Sequence, residues 1–349
     1  MKYEFFTGSY GRVGEEGILK MVFDTDAMSL SKVWACDAIK NPSYVLLSGD
    51  EKVLYAVQEE TPVGAVHSMR LKEDGSGAVP VKCLSTEGAD PCHLSLSPDR
   101  RLLFAANYTS GSLAVFALSE DGQLKDMCDF DQHEGKGPNV KRQECAHVHF
   151  SQMHEGQLFC VDLGMDRVFV YDIEEETGKL HDTGIKLQLP PGDGPRHLAF
   201  SRTDANLVYV ACELESKVAV FEKCGEGYVM RQILSTLPAD YDFSVGTKVA
   251  AIRISGDLLF VSNRGDDSIA SYRIGEDGLL TLCDIARCGG ENPRDFNVME
   301  NFLVIANQDT DSITVLEFDP KSGSMQDTGL KFETVKPTCI CLCGAADRV

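Results

Sequence analysis

The sequence predicts an all-β fold: a seven-bladed β-propeller of four-stranded antiparallel blades, the last blade closed by strands from both ends of the chain. Three observations predict it. One unit, three short apolar or alternating runs followed by a tight turn and a fourth run, recurs along the chain. Its spacing of about 43–55 residues is that of a propeller blade, and the runs lack the 3.6-residue period of a helical solenoid. The two chain ends carry complementary fragments of the same unit.

Six complete units start near residues 42, 91, 145, 195, 249 and 293. Pro195-Arg196-His197-Leu198-Ala199-Phe200 leads into the run 207–213 and then 217–221; Pro91-Cys92-His93-Leu94-Ser95-Leu96 leads into 102–108 and 113–116 in the same order. Glu-Asp-Gly fills the last turn at 73–75, 120–122 and 276–278, with Thr177-Gly178 and Ser322-Gly323 in two other units. Such pairs supply the positive φ of a tight hairpin. A seventh start, Lys336-Pro337-Thr338-Cys339-Ile340-Cys341-Leu342, meets the end of the chain. Residues 1–40 hold three strand-like runs, 3–7, 17–23 and 30–37, with no first strand before them. Joining the two fragments completes the seventh blade and leaves no free sheet edge. Residues 1–349 therefore read as one ring, overriding the two domains that length alone suggests.

Composition narrows the function. With 54 acidic against 33 basic residues the formal charge is -21, which repels a phosphate backbone and speaks against nucleic acid. No stretch reaches the roughly 20 apolar residues of a membrane helix, and the N-terminus lacks the apolar core of a signal peptide. Thirteen cysteines without paired spacing favour a reducing cytoplasm over a disulfide scaffold.

Propeller topology then locates a site. Residues entering each first strand and leaving each second strand meet around one mouth of the central channel. Entering residues include His93, His147, Arg196, His197 and Arg294; leaving residues include Asn107, Asp162, Glu213, Asn263, Arg264, Asn307 and Gln308. His149, two residues past His147, shares its side on a regular strand. Convergent polar groups at a concave mouth are the default ligand site, and the arginines would attract an anion to an otherwise acidic protein. Capping of neighbouring backbone is the competing role for any one of these residues.

Several motifs in order resemble the seven-bladed propeller lactonases, the group that includes bacterial 6-phosphogluconolactonase and the fungal carboxy-muconate lactonizing enzyme. They are Asp162-Leu163-Gly164-Met165-Asp166-Arg167, Gly194-Pro195-Arg196-His197, Ser262-Asn263-Arg264-Gly265, Asn292-Pro293-Arg294-Asp295 and Ala306-Asn307-Gln308-Asp309. The resemblance spans essentially the whole chain. It implies a catalytic set of one histidine, one glutamate and two arginines, falling on His147 or His149, Glu213, Arg196 and Arg264.

The implied activity is hydrolysis of a small anionic sugar lactone. A histidine or carboxylate takes a proton from water. An arginine fork holds an oxyanion, carboxylate or phosphate. On this reading His147 or His149 and Glu213 handle protons, while Arg196 and Arg264 meet the anionic oxygens. Arg294 assists with a phosphate, and His93, His197, Asn107, Asp162, Asn263, Asn307 and Gln308 contact the substrate. Two alternatives remain open: the reverse lactonizing reaction, and a protein-binding scaffold without activity.

No cofactor or metal is expected, because His-Glu-x-x-His, Cys-x-x-Cys and phosphate-cradling glycine motifs are missing. Cys339, Cys341 and Cys343 alternate and read as small apolar side chains between blades. The insert 129–142 precedes the His147 run and is a candidate flap over the mouth; a similar insert, 238–247, flanks the Arg264 blade.

Overall fold

Each repeat becomes one four-stranded antiparallel sheet in a computed structural model that describes residues 1–174 and 176–344. Blades one to six open on the strands Val45–Leu47, Pro91–Leu96, Val148–His154, Pro195–Phe200, Lys248–Ser255 and Pro293–Met299. Blade seven opens on Pro337–Leu342, which pairs with Lys2–Ser9, followed by Ile18–Asp24 and Ser29–Cys36. Phe6 faces Cys341 and Phe5 faces Leu342 across this seam, so hydrogen bonds close the ring. Each first strand lies beside the first strands of the neighbouring blades around the channel.

The core lies between blades. Phe150, Phe159, Val161 and Val170 of blade three pack on Leu198, Val208, Val210 and Phe221 of blade four, and comparable clusters fill the other interfaces. Cys339 and Cys341 join Phe6, Val45, Leu47 and Leu54 between blades seven and one. Burial of each large apolar side chain is worth about 1.5–3 kcal/mol, so the sheets are held face to face by apolar contact. Fourth strands face solvent on one side and alternate, as in Met325–Glu333. Gly122, φ 76°, supplies the positive φ of a predicted turn, and its carbonyl accepts from Tyr55 Oη of the preceding blade at 2.5 Å.

A bulge repeats at the channel end of the first strands. Pairing slips by one residue between Pro91 and His93, Val148 and Phe150, Pro195 and His197, and Pro293 and Asp295. The skipped residues are Cys92, His149, Arg196 and Arg294. A bulge takes its extra residue out of the ladder and re-aims the side chain. The expected start of blade three, near residue 145, is therefore corrected to Val148, and His149 rather than His147 is the counterpart of Arg196. The strict alternation that put both histidines on one side fails at the bulge. The insert expected over 129–142 is shorter, because 129–132 belong to the strand Leu124–Gln132. Residues 238–247 contain a single 3-10 turn, Phe243–Val245. Among the described residues no helix is long and apolar enough to cross a membrane.

Candidate active site

Bulge residues from several blades surround the mouth. Ser43, Glu59, Cys92, Arg196, Arg294 and Thr338 line a cavity of about 10 Å³, room for one water. Beside it lies Glu213, 2% exposed. The backbone N–H of Glu213 donates to Gly194 O at 2.7 Å, and its carbonyl accepts from Val249 N at 3.2 Å. The residue leaving blade four is thus tied to the entries of blades four and five.

Three guanidinium groups meet the Glu213 carboxylate. Arg264 Nη2 lies 2.7 Å from Oε2, Arg196 Nε 3.1 Å from Oε2, and Arg142 Nη2 2.6 Å from Oε1. Arg196 Nη1 also donates to Ala250 O at 2.8 Å, and Arg264 Nη2 to Val249 O at 3.0 Å. Both forks are therefore anchored to the backbone of blade five. Burial alone would raise the Glu213 pKa, but Arg264, Arg196 and Arg142 hold the carboxyl well below its ordinary range. Burial, then repulsion by Arg264 and Arg294, lowers Arg196 to about 9, still a cation at neutral pH. The Nε of Arg196 and of Arg264 make no hydrogen bond, the former lying off the line to Glu213.

Arg294 forms a second arm. Its Nη2 donates to Tyr10 Oη at 2.8 Å, and Tyr10 Oη donates to Glu59 Oε1 at 2.6 Å. Ser43 Oγ donates to the other Glu59 oxygen. Burial raises the Glu59 pKa, with Arg294 opposing. Around the mouth, five guanidiniums (Arg142, Arg196, Arg253, Arg264, Arg294) face three carboxylates, Glu213, Glu59 and Asp295. The local charge is cationic on an acidic protein.

His93, His149 and His197 form an aromatic floor. The His197 ring lies 5.7 Å from His93 and 5.3 Å from His149, and Phe150 stacks obliquely against His93 and His197. Burial pushes all three pKa values well below the ordinary histidine value. Positive neighbours act in the same sense: Arg253 and Arg196 on His93, Arg196 on both His149 and His197. The histidines are neutral in the native protein, whereas the unfolded chain protonates them as pH falls below about 6.5. Their contribution to stability is present above that value and lost below it, by at most about 1.4 kcal/mol per pH unit for each histidine. We expect the urea midpoint to fall steeply from pH 7 to pH 5; a flat profile would contradict neutral burial of the trio.

The other expected site residues divide. His147 sits to one side: its ring stacks on Tyr108 at 4.6 Å and its Nδ1 lies 3.0 Å from Tyr108 O, while its backbone N–H donates to Asp162 Oδ1. Asp162 also pairs with His133 Nδ1 at 2.6 Å and accepts from Met165 N. Asn107 donates to Thr86 O and Ser112 Oγ, Asn263 to Thr236 O and Ser268 Oγ, and Asn307 to Thr314 Oγ1. These amides and Asp162 hold turns of their own blades and the chain leaving the preceding blade, at Thr86, His133 and Thr236. Gln308 Nε2 donates to the neighbouring Asp309 side chain. Glu144, Cys145 and His147 bring donor atoms within 4.8 Å of one another, and burial, with Glu144 and Asp162, raises the Cys145 pKa.

Two residues at the mouth escaped the sequence reading. Arg142 ends the insert that was named as a flap, yet nothing in one sequence shows that it crosses 71 positions to Glu213. Lys248 is the cross-strand partner of Arg264, a register that only the strand pairing reveals.

Comparisons with known proteins agree with this architecture. The chain matches the family model described as "Lactonase, 7-bladed beta-propeller" over residues 4–342. It is 30% identical over 347 residues to a protein of Bacillus subtilis named 6-phosphogluconolactonase, covering 97% of this chain and 98% of the relative. The solved structure of a periplasmic gluconolactonase from Pseudomonas aeruginosa superposes with a TM-score of 0.91 at 29% identity, covering 99% of each chain. A crystal structure of a protein from Lactobacillus plantarum gives a TM-score of 0.90 at 31% identity, over 98% of this chain and 100% of that one.

Proposed function

The chain belongs to the seven-bladed β-propeller lactonase family, and from that premise we propose that it hydrolyses an anionic sugar lactone, with 6-phosphogluconolactone as the favoured substrate, at the channel mouth. The observation that carries this reading is the excess of guanidinium over carboxylate around Glu213 in a protein of charge -21.

Arg196 and Arg264 present their forks to the lactone carbonyl oxygen and stabilise the negative charge it gains as water attacks. His149, neutral and unpaired in the strand ladder, takes the proton of the attacking water. Collapse of the tetrahedral intermediate breaks the ring C–O bond, and the same proton passes to the departing ring oxygen. The product is the open hydroxy acid. His149 is favoured over His147, whose Nδ1 is engaged by Tyr108 O. The triple ion pair favours an orienting role for Glu213 over the proton handling expected of it, because guanidiniums occupy both of its carboxylate oxygens. Thirteen free cysteines favour a reducing compartment, and we place the protein in the cytoplasm.

Acid release from freshly generated 6-phosphogluconolactone tests the reading. We expect a rate well above spontaneous ring opening and proportional to protein concentration. A scaffold without activity would leave both phosphorylated and free sugar lactones at their spontaneous rates.

A further inference from the structure

We propose that Arg142 and Lys248 form a phosphate-binding subsite at the rim of the mouth, one that selects a lactone carrying a phosphate monoester. This rests on the lactone-hydrolase reading above and assigns the far end of its substrate.

The deeper cations already have partners. Arg294 is tied through Tyr10 to Glu59, and Arg253 Nη2 pairs with Asp295 Oδ1 at 2.7 Å. Arg196 and Arg264 share Oε2 of Glu213 and two backbone carbonyls. The sequence reading gave the phosphate to Arg294, but that guanidinium is held by the Tyr10 phenol and lines the small cavity beside Arg196, at the carbonyl end of the mouth.

Arg142 shares Glu213 with the deeper arginines, but it and Lys248 stand where solvent reaches them. Arg142 reaches the site from residues 133–147, which form no strand, and its side chain is 30% exposed. Beyond Glu213 its partner is the neutral phenol of Tyr108, 3.0 Å away. Lys248 begins the strand Lys248–Ser255, is exposed, and pairs in register with Arg264. Among the described residues it forms no ion pair. Burial and repulsion by Arg142 and Arg264 depress its pKa, the response of an ammonium held beside other cations. A phosphate dianion between the two relieves that repulsion, taking a planar fork from one side and a point charge from the other.

The position suits the chemistry. In a six-carbon sugar lactone with a terminal phosphate, the reacting carbonyl and the phosphate sit at opposite ends. With the carbonyl among Arg196 and Arg264, the phosphate points outward to the rim.

Inorganic phosphate and a pair of lactones test the proposal. By calorimetry the wild-type chain is expected to bind one phosphate, and Lys248→Met to weaken that binding about ten- to hundredfold, the effect of losing one charge-assisted hydrogen bond. The same substitution should lower kcat/KM for 6-phosphogluconolactone by a similar factor while changing that for gluconolactone less than about threefold. Lys248 is exposed, so folding is preserved, and Arg142→Met should repeat the loss of phosphate affinity. Failure of the wild-type chain to bind phosphate, unchanged phosphate affinity in Lys248→Met, or equal slowing of both lactones would overturn the subsite. If neither lactone is turned over, the hydrolase reading fails while the phosphate titration still decides the subsite.

Discussion

Glu213→Gln is expected to cost the fold about 3–5 kcal/mol, the penalty for leaving buried charges without their counter-ion. The wild-type carboxylate offsets Arg142, Arg196 and Arg264 at a site 2% exposed. A neutral amide keeps the shape and removes the charge, so three guanidiniums then repel one another in a poorly screened space. Urea unfolding at neutral pH measures the loss. Adding Arg142→Met to Glu213→Gln should recover part of it, since one unbalanced cation disappears and the loop 133–147 lies outside the sheets. A loss below about 1 kcal/mol, the range of exposed ion pairs, would mean that Glu213 is solvated and not the hub described here.

Arg196→Met is expected to lower kcat for lactone hydrolysis by about 10²–10³-fold, the effect of removing one donor from an oxyanion. Methionine replaces the apolar stem, and Glu213 keeps two of its three partners, so the fold should persist. Arg196→Lys should not rescue the rate. A single ammonium cannot hold the Ala250 carbonyl, meet Glu213 and still present a fork to the substrate. Retention of more than about a tenth of wild-type kcat in a folded Arg196→Met protein would remove Arg196 from the reaction.

The ring was legible because each blade must bury two faces and turn tightly. Apolar runs, Asp-Gly turns and the Pro-x-His or Pro-Arg entry therefore recur with a fixed period. The shared seventh blade was legible for the same reason, since Lys336 to Leu342 and the first 40 residues each lack what the other supplies. Arg196, Glu213 and Arg264 could be gathered in advance because they occupy repeated positions next to strands whose ends must converge.

What stayed hidden was decided by contacts between repeats and by local departures from them. The choice between His147 and His149 depends on a one-residue slip at Val148, and a slip leaves no mark in a pattern of alternation. Asn107, Asn263 and Asn307 look like ligand groups when polarity alone is counted; their donors are spent on turns that any propeller must hold. Arg142 belongs to an irregular segment whose path has no periodicity to read. Its partner, Glu213, follows the second strand of blade four.

A crystal structure of the protein with 6-phosphogluconate, the hydroxy acid produced by the proposed reaction, tests the central claim most directly. The carboxylate is expected between the guanidiniums of Arg196 and Arg264, with His149 facing it across the channel mouth. An acid bound on another face, or one whose carboxylate touches neither arginine, would contradict the account.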